Sequence, residues 1–217
     1  MARTAGKRAE AEGDVRARLL GSAAELFSTK GYAGTTVREI VERAGVTKPA
    51  MYYYFRSKEG IYLELMRGPL EGFLESIESA AAEKGGARDR VVGVCLGAYD
   101  YFMRHLPHAR IMYSIYYGPP QGAPFIDFES VQLRFPETIL RLVKEGIRGG
   151  EFRRGDAADM AWAMTGAVSV AMELELSARG RGIGRSLGSG GIRRMLGVIF
   201  HGIAVDGPRA TGKGRKG

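Results

Sequence analysis

Residues 36–58 read TVREIVERAGVTKPAMYYYFRSK, and this stretch decides the fold. Thr36 and Glu39 form T-x-x-E, a capping box in which each side chain can bond the other residue's backbone N–H. Val37, Ile40, Val41 and Ala44 then recur at i, i+3, i+4 and i+7, one apolar face of a short helix. Gly45 can take the left-handed backbone that ends a helix at little cost, and Val46 reads as a buried turn residue. Thr47 is placed to cap a second short helix, with Pro49 in its first turn, where a missing N–H matters least. Met51, Tyr52 and Phe55 fall on the inward face of that helix. Thr47, Lys48, Ala50, Tyr53 and Tyr54 are left at its N-terminal end or on its outer face. Ser57 caps a further helix. Lys58 stands in the first turn of that helix, where a cation is mildly unfavourable against the helix dipole and a nearby phosphate would offset it.

Two short helices about a glycine turn, the second carrying exposed tyrosines, describe a helix-turn-helix able to enter a DNA groove. In that reading Thr47, Lys48, Ala50 and Tyr53 meet base edges or groove walls, while Thr36, Tyr52, Tyr54 and Lys58 hold phosphates. The plain alternative is a small helical subdomain with a solvated basic face, because helix pairs about a turn are common and many bind nothing. The tyrosines weigh against it: exposed aromatics beside Lys48 and Lys58 need a reason.

Working outward, the run from Leu19 to Met66 resembles the N-terminal domain of tetracycline-repressor-type (TetR family) transcriptional regulators. The likeness is carried by Ala24–Phe27, the Gly31-Tyr32 helix exit, Thr35-Thr36, the turn from Ile40 through Gly45-Val46-Thr47, Tyr52-x-Tyr54-Phe55 and Lys58. At Tyr54 this chain departs from the His the family often has. Tyr keeps a donor that reaches phosphate and loses any pH dependence. Beyond Met66 the pattern is helical but carries no diagnostic motif. The resemblance implies an all-α protein of about nine helices. A three-helix head would bind double-stranded operator DNA, and a helical body would dimerise and take a small-molecule effector.

Composition is compatible with this. The chain of 217 residues is 45% hydrophobic and 26% charged, ordinary for a globular protein with a sizeable core. Its net charge of +8 is unevenly spread. Residues 1–58 carry 11 basic and 6 acidic side chains, residues 59–182 carry 14 and 17, and residues 183–217 carry 7 and 1. Positive ends flanking a mildly acidic middle suit a nucleic-acid-facing head and a basic tail. The single cysteine, Cys95, excludes an intrachain disulfide and fits a reducing compartment. Set among Val91, Val94, Leu96 and Ala98, it reads as a small core residue rather than a redox sensor. MARTAGKRAEAEGD, the first 14 residues, has no apolar core and is not a signal peptide. The uncharged run from Met160 to Met172 is 13 residues, too short to span a bilayer. A cytoplasmic protein without membrane contact is expected.

The expected organisation is an unstructured basic arm over 1–13, a helix-turn-helix DNA-binding domain over 14–58, a ligand-binding and dimerisation domain over 59–206, and an unstructured basic tail over 207–217. Helices are expected at about Asp14–Lys30, Thr36–Ala44, Thr47–Phe55 and Ser57–Lys84, the last kinked or broken at Gly68-Pro69. Others follow at Ala87–His105, Pro107–Tyr117, Phe125–Arg148, Asp156–Ala178 and Ile192–Val205. GPPQGAP (118–124) and GRGIGRSLGSGG (180–191) read as loops.

The last two helices are the candidate dimer interface. The helix from Asp156 is apolar on more than one face, which marks a buried helix. The resemblance implies that it pairs with the last helix and their copies as a four-helix bundle. Trp162, Val168, Met172, Ile192, Met195, Leu196 and Ile199 are the expected interface residues, with intrachain core as the alternative. The resemblance also implies an effector cavity in the body, expected among Tyr99, Phe102, Met103, Tyr113, Tyr116, Phe128 and Trp162. Ordinary core is the alternative for each. His105, Asp127 and Glu129 are candidate polar anchors. His105 and His108 lack the i, i+4 spacing of helical metal ligands, so no metal is invoked. There is no P-loop, H-E-x-x-H, CxxC or plausible triad, and the glycines of 180–191 follow a helix rather than a strand. No cofactor and no catalytic residue are assigned.

The sequence therefore predicts a dimeric DNA-binding regulator, a repressor released by an apolar or amphipathic ligand. A ligand-independent regulator or activator is the alternative within that class. A helical enzyme or small-molecule carrier is the alternative outside it.

Overall fold

The computed structural model describes residues 2–181 and 187–202, with side chains over 13–177 and 187–202. The expected tail at 207–217, Ile203, and part of the 180–191 loop lie outside the described residues. Nine helices and no strand occur among the described residues: α1 (Ala2–Lys30), α2 (Val37–Ala44), α3 (Lys48–Phe55), α4 (Lys58–Ala82), α5 (Ala87–Arg104), α6 (Leu106–Tyr116), α7 (Phe128–Arg148), α8 (Ala157–Arg181) and α9 (Gly188–His201).

The local signals account for most boundaries. Thr36 accepts from Glu39 N and the Glu39 carboxylate accepts from Thr36 N, closing the capping box. Gly45 ends α2 with φ 64°, Thr47 accepts from Ala50 N, and Ser57 accepts from Gly60 N. Asp127 caps α7 by accepting from Ser130 N, and Asp156 accepts from the N–H groups of Ala158 and Asp159.

Three expectations about the elements are corrected. The backbone is helical from Ala2 rather than from Asp14. Residues 2–12, ARTAGKRAEAE, are mostly Ala, Arg, Lys and Glu, strong helix formers in spite of their polarity. Pro69 neither breaks nor ends α4, which runs unbroken from Lys58 to Ala82. The last helix starts at Gly188 rather than Ile192 and its assigned span ends at His201.

Two apolar clusters organise the molecule. The first joins α1, α2 and α3 through Leu19, Phe27, Ile40, Met51 and Phe55, and takes in Ile61, Tyr62, Leu65 and Met66 of α4. It also includes Ile111 of α6 and Phe128 of α7, so the head core reaches well past residue 58. The second lies in the body, where Val91, Val94, Cys95, Ala98, Tyr99 and Phe102 of α5 meet α7, α8 and α9. Burial pushes the Cys95 thiol up to about 12, so a reactive thiolate is not available there.

One backbone position is out of keeping with its residue. Arg56 closes α3 with φ 60°, the only non-glycine residue at positive φ among the described residues. A side chain in that region is disfavoured by about 1–2 kcal/mol, while glycine adopts it freely at an entropic cost of about 0.5–1 kcal/mol. Arg56→Gly is therefore expected to raise folding stability by about 0.5–1 kcal/mol, read from chemical denaturation. A loss of stability would show that the guanidinium makes a compensating contact.

Candidate functional site

The helix-turn-helix is held against α1 and α4 by polar ties at its edges. Arg18 Nη1 donates to Ala44 O at 3.1 Å, bonding the exposed end of α2. Ion pairs join Arg43 to Glu25 and Lys30 to Glu39. The Glu39 carboxyl is held down at about 2, first by its bond from Lys30 and then by the Thr36 backbone and hydroxyl. These pairs are largely exposed and set orientation more than stability.

The outer surface of α3 is open. Thr47 and Lys48 are exposed and Ala50 is half-buried at its start. No ion-pair partner for Lys48 occurs among the described residues. Tyr53 is 75% exposed, and its ring meets Tyr54 edge-on at 5.1 Å. Tyr54 in turn packs on the head core, so Tyr53 is braced. Tyr52, expected to face inward by spacing, is 48% exposed, and only Met51 and Phe55 of α3 are buried. The eight residues of α3 turn Tyr52 towards solvent with Tyr53, which suits its assignment to a phosphate better than its assignment to core.

Lys58, expected to hold a phosphate, also makes bonds inside the protein. Its ammonium donates to Tyr32 O and to Thr35 O, both at 3.0 Å, and lies 4.1 Å from the centre of the Tyr32 ring. Two donors bonded and a ring face beneath make it an internal strut between α4 and the α1–α2 turn. Lys58→Met leaves two carbonyls without that partner and is expected to cost about 1–3 kcal/mol of stability. The salt dependence of DNA binding should keep its slope, because no phosphate contact is lost. A slope lower by about 1 with unchanged stability would return Lys58 to the contact set.

In the body, a cavity of about 410 Å³ opens between α4, α5, α6, α7 and α8. Met66, Leu70 and Phe73 form the α4 wall, and Tyr101 and Phe102 the α5 wall. His108, Met112, Tyr113 and Tyr116 line it from α6, and Trp162, Thr165, Ser169 and Glu173 from α8. His105, at the α5–α6 junction, stacks on Tyr101 with ring centres 4.0 Å apart, and its Nδ1 is 2.9 Å from Tyr101 O. Of the expected lining, Phe102, Tyr113, Tyr116 and Trp162 are present, as are the anchors His105 and Glu129.

Tyr99, Met103 and Phe128 are not in the lining. The Tyr99 hydroxyl donates to the buried Glu175 Oε1 at 2.8 Å and accepts from Gly188 N at 3.1 Å, tying α5 to α8 and the start of α9. Met103 packs on the body core. Phe128, the first residue of α7, turns into the head core instead. Asp127 is occupied as the α7 cap, accepting from Ser130 N at 3.0 Å.

Several lining residues escaped the sequence reading, among them Tyr101, His108 and Thr165. Thr165 had a signal: it and Ser169 are the only hydroxyls in the uncharged run 160–172. It is 5% exposed, and its Oγ1 has no hydrogen-bond partner among the described residues. The same holds for His108 Nδ1. Burial, then the nearby His105, lowers the pKa of His108 and favours its neutral form.

The expected dimer residues divide. Val168, Met172, Ile192 and Leu196 are buried in the protomer's own core, while Met195 and Ile199 pack partly against it. Trp162 is 64% exposed at the cavity mouth. The uncovered stripe of α8 runs through Ala163, Gly166, Ala167, Val170 and Leu174, spaced i, i+3, i+4, i+7 and i+11, and α9 adds Val198. A Cβ built on Gly166 or Gly197 meets nothing within 4 Å, so packing inside the protomer does not require glycine there.

The geometry defines a helix-turn-helix head on an all-helical body. Residues 19–65 match the sequence profile of bacterial regulatory proteins of the TetR family. The chain is 37% identical over 89 residues to the HTH-type transcriptional regulator RutR of Escherichia coli K12, a match spanning 38% of this chain and 42% of RutR. It thus spans less than half the length of that relative. To the HTH-type transcriptional repressor KstR2 of Mycobacterium tuberculosis it is 27% identical over 153 residues, 68% of this chain and 74% of KstR2. Among solved structures, the TetR-family regulator PfmR of Thermus thermophilus superposes with TM-score 0.67 and 23% identity, covering 87% of this chain and all of that one. FadR of Bacillus subtilis, in complex with stearoyl-CoA, superposes with TM-score 0.61 and 19% identity, covering 86% and 98% of the two chains.

Proposed function

We propose that the protein is a sequence-specific DNA-binding transcriptional regulator, a homodimeric repressor that leaves its operator when a small amphipathic molecule fills the body cavity. The DNA-binding part is supported by the head. Thr47, Lys48, Ala50 and Tyr53 stand at the open end and outer face of α3, where they meet base edges or groove walls. Thr36, Tyr52 and Tyr54 flank them towards the phosphates, and the N-terminus of α3 itself favours an anion.

The observation that carries the ligand response is the double role of α6. His108, Met112, Tyr113 and Tyr116 line the cavity, while Ile111 on the same helix is fully buried in the head core. The loop after α6 adds a polar tie: Gln121 Oε1 accepts from Tyr32 N at 2.7 Å and Gln121 Nε2 donates to Ser114 O at 2.9 Å. Gly31 makes room for it, since a Cβ there would lie 2.5 Å from Gln121 Oε1. A ligand that moves α6 therefore moves the exit of α1 and the helices it supports. Taking the operator-competent state from 99:1 to 1:99 requires about a 10⁴-fold preference for the other state, ~5.5 kcal/mol. Filling an enclosed apolar space in one state only can supply such a difference. The bound stearoyl-CoA of FadR and the repressor KstR2 are compatible with this reading.

Dimerisation is supported by the uncovered stripe of α8, where small residues allow two helices to approach closely and Val170 and Leu174 supply apolar area. One recognition helix reads too few bases alone, and a two-fold dimer predicts an operator with inverted half-sites about one DNA turn, or a multiple, apart.

Protection mapping on the source genome followed by ligand-driven release tests the whole reading. Tyr53→Ala is expected to lose ~1–3 kcal/mol on the mapped operator and to relax sequence preference. Equal affinity and preference would remove Tyr53 from the readout.

Leu174→Glu should give a folded monomer by sedimentation, because the carboxylate would be buried unpaired only in the dimer. Val168→Glu is no substitute: Val168 lies in the protomer core, so that change tests folding. A Leu174→Glu dimer as tight as wild type would place the interface elsewhere.

A further inference from the structure

Charge in the cavity lining narrows the ligand beyond the reading above, on which this inference rests. Glu129 and Glu173 both line the cavity, and no lysine or arginine does. Neither carboxylate has an ion-pair partner among the described residues. Both are exposed, so they stand at the mouth rather than in the depth. Beside them is an aromatic wall: Tyr113 and Tyr117 have ring centres 5.2 Å apart, Tyr116 and Tyr117 4.9 Å. The exposed Trp162 also lines the cavity, roughly 16 Å along α8 from Glu173. Aromatic faces and unpaired carboxylates both attract a cation and repel an anion. Deeper in, Thr165 lines the cavity and is an independent sign of a ligand: the residue is more than nine-tenths buried, and its hydroxyl has no hydrogen-bond partner among the described residues. Buried polar groups are seldom left so. A volume of about 410 Å³ suits a drug-sized molecule.

We infer that the cavity binds a cationic amphiphile, with a protonated amine or quaternary ammonium held at the mouth by Glu129, Glu173 and the aromatic wall, an apolar body inside, and a neutral hydrogen-bonding group reaching Thr165. A carboxylate or phosphate-bearing ligand would place like charge against both glutamates with no lysine or arginine in the lining to offset it. The arrangement thus selects against an acyl-CoA such as the one bound to FadR.

The protein reports its own occupancy, because Trp162 is its single tryptophan. Fluorescence titration of the full chain, below micelle concentrations, compares dodecyltrimethylammonium, 1-dodecanol, dodecanoate and stearoyl-CoA. The ammonium is expected to bind at least tenfold more tightly than either anion. Glu129→Gln and Glu173→Gln should each weaken the ammonium several-fold and leave dodecanol unchanged. Melting curves of both variants should match wild type, since neither carboxylate holds the fold. Adding a hydroxyl at the far end of the ammonium's chain should tighten binding to wild type and not to Thr165→Val. Tighter binding of dodecanoate or stearoyl-CoA, or an ammonium affinity indifferent to both glutamine variants, overturns the inference. If an anion binds more tightly and also releases operator DNA, the charge assignment falls while ligand-responsive regulation stands. If the ammonium binds as expected but the DNA stays bound, the charge assignment stands and the regulatory reading falls.

Discussion

The structure depends on a head core that is not closed by the head alone. Phe27, Tyr32 and Tyr62 meet with ring centres 5.2–6.2 Å apart, joining the end of α1 to the start of α4. Ile111 from α6 and Phe128 from α7 complete the same cluster. Burying one such aliphatic side chain is worth about 1.5–3 kcal/mol, a sizeable part of the stability of a small helical domain. The orientation of α2 and α3 is thus set partly by residues far beyond the helix-turn-helix in the chain. Lys58 reinforces the joint from beneath, its ammonium satisfying two carbonyls at the α1–α2 turn.

That dependence explains which parts of the protein were legible in the sequence. The helix-turn-helix is local. Its capping box, glycine exit and two further caps lie within a few residues of the groups they bond, so the spacing of 36–58 contains the answer. The inward face of α5 was legible for the same reason, since a 3.6-residue period is a local property. The misplaced residues all depend on packing between helices. Tyr99 and Phe102 lie three apart on one face of α5, yet only Phe102 reaches the cavity, because the end of α8 and the start of α9 capture the Tyr99 hydroxyl. Phe128 is large and apolar like the true lining residues, but sits at the one turn of α7 that faces the head.

Which face of α8 the protomer buries was hard to read for a related reason. A helix apolar nearly all round has no single moment to follow, so the period does not say which stripe the protomer keeps. Packing assigns Met164, Val168 and Met172 to the protomer core and leaves Val170 and Leu174 uncovered. The distinguishing signal was residue size rather than hydropathy: the small residues Ala163, Gly166 and Ala167 sit on the uncovered stripe, where a second helix can approach. In the N-terminal segment the opposite error occurred. Polarity outweighed propensity in the reading, although Ala, Glu, Lys and Arg extend a helix without any core to face.

A head that borrows its core from the body cannot be indifferent to what the body binds. Met66 and Met112 each touch both compartments, packing in the head cluster while lining the cavity. Methionine is the side chain that best adapts to a changed neighbour, having three rotatable bonds and a polarizable sulfur. A ligand entering from the α8 side meets Met112 before it could displace Ile111 one position earlier. In the proposed ligand response the head's floor, rather than its DNA-facing surface, is what the ligand touches first. Any such coupling is reciprocal: a ligand that weakens operator binding by a given factor is itself bound more weakly by that factor when the operator is occupied.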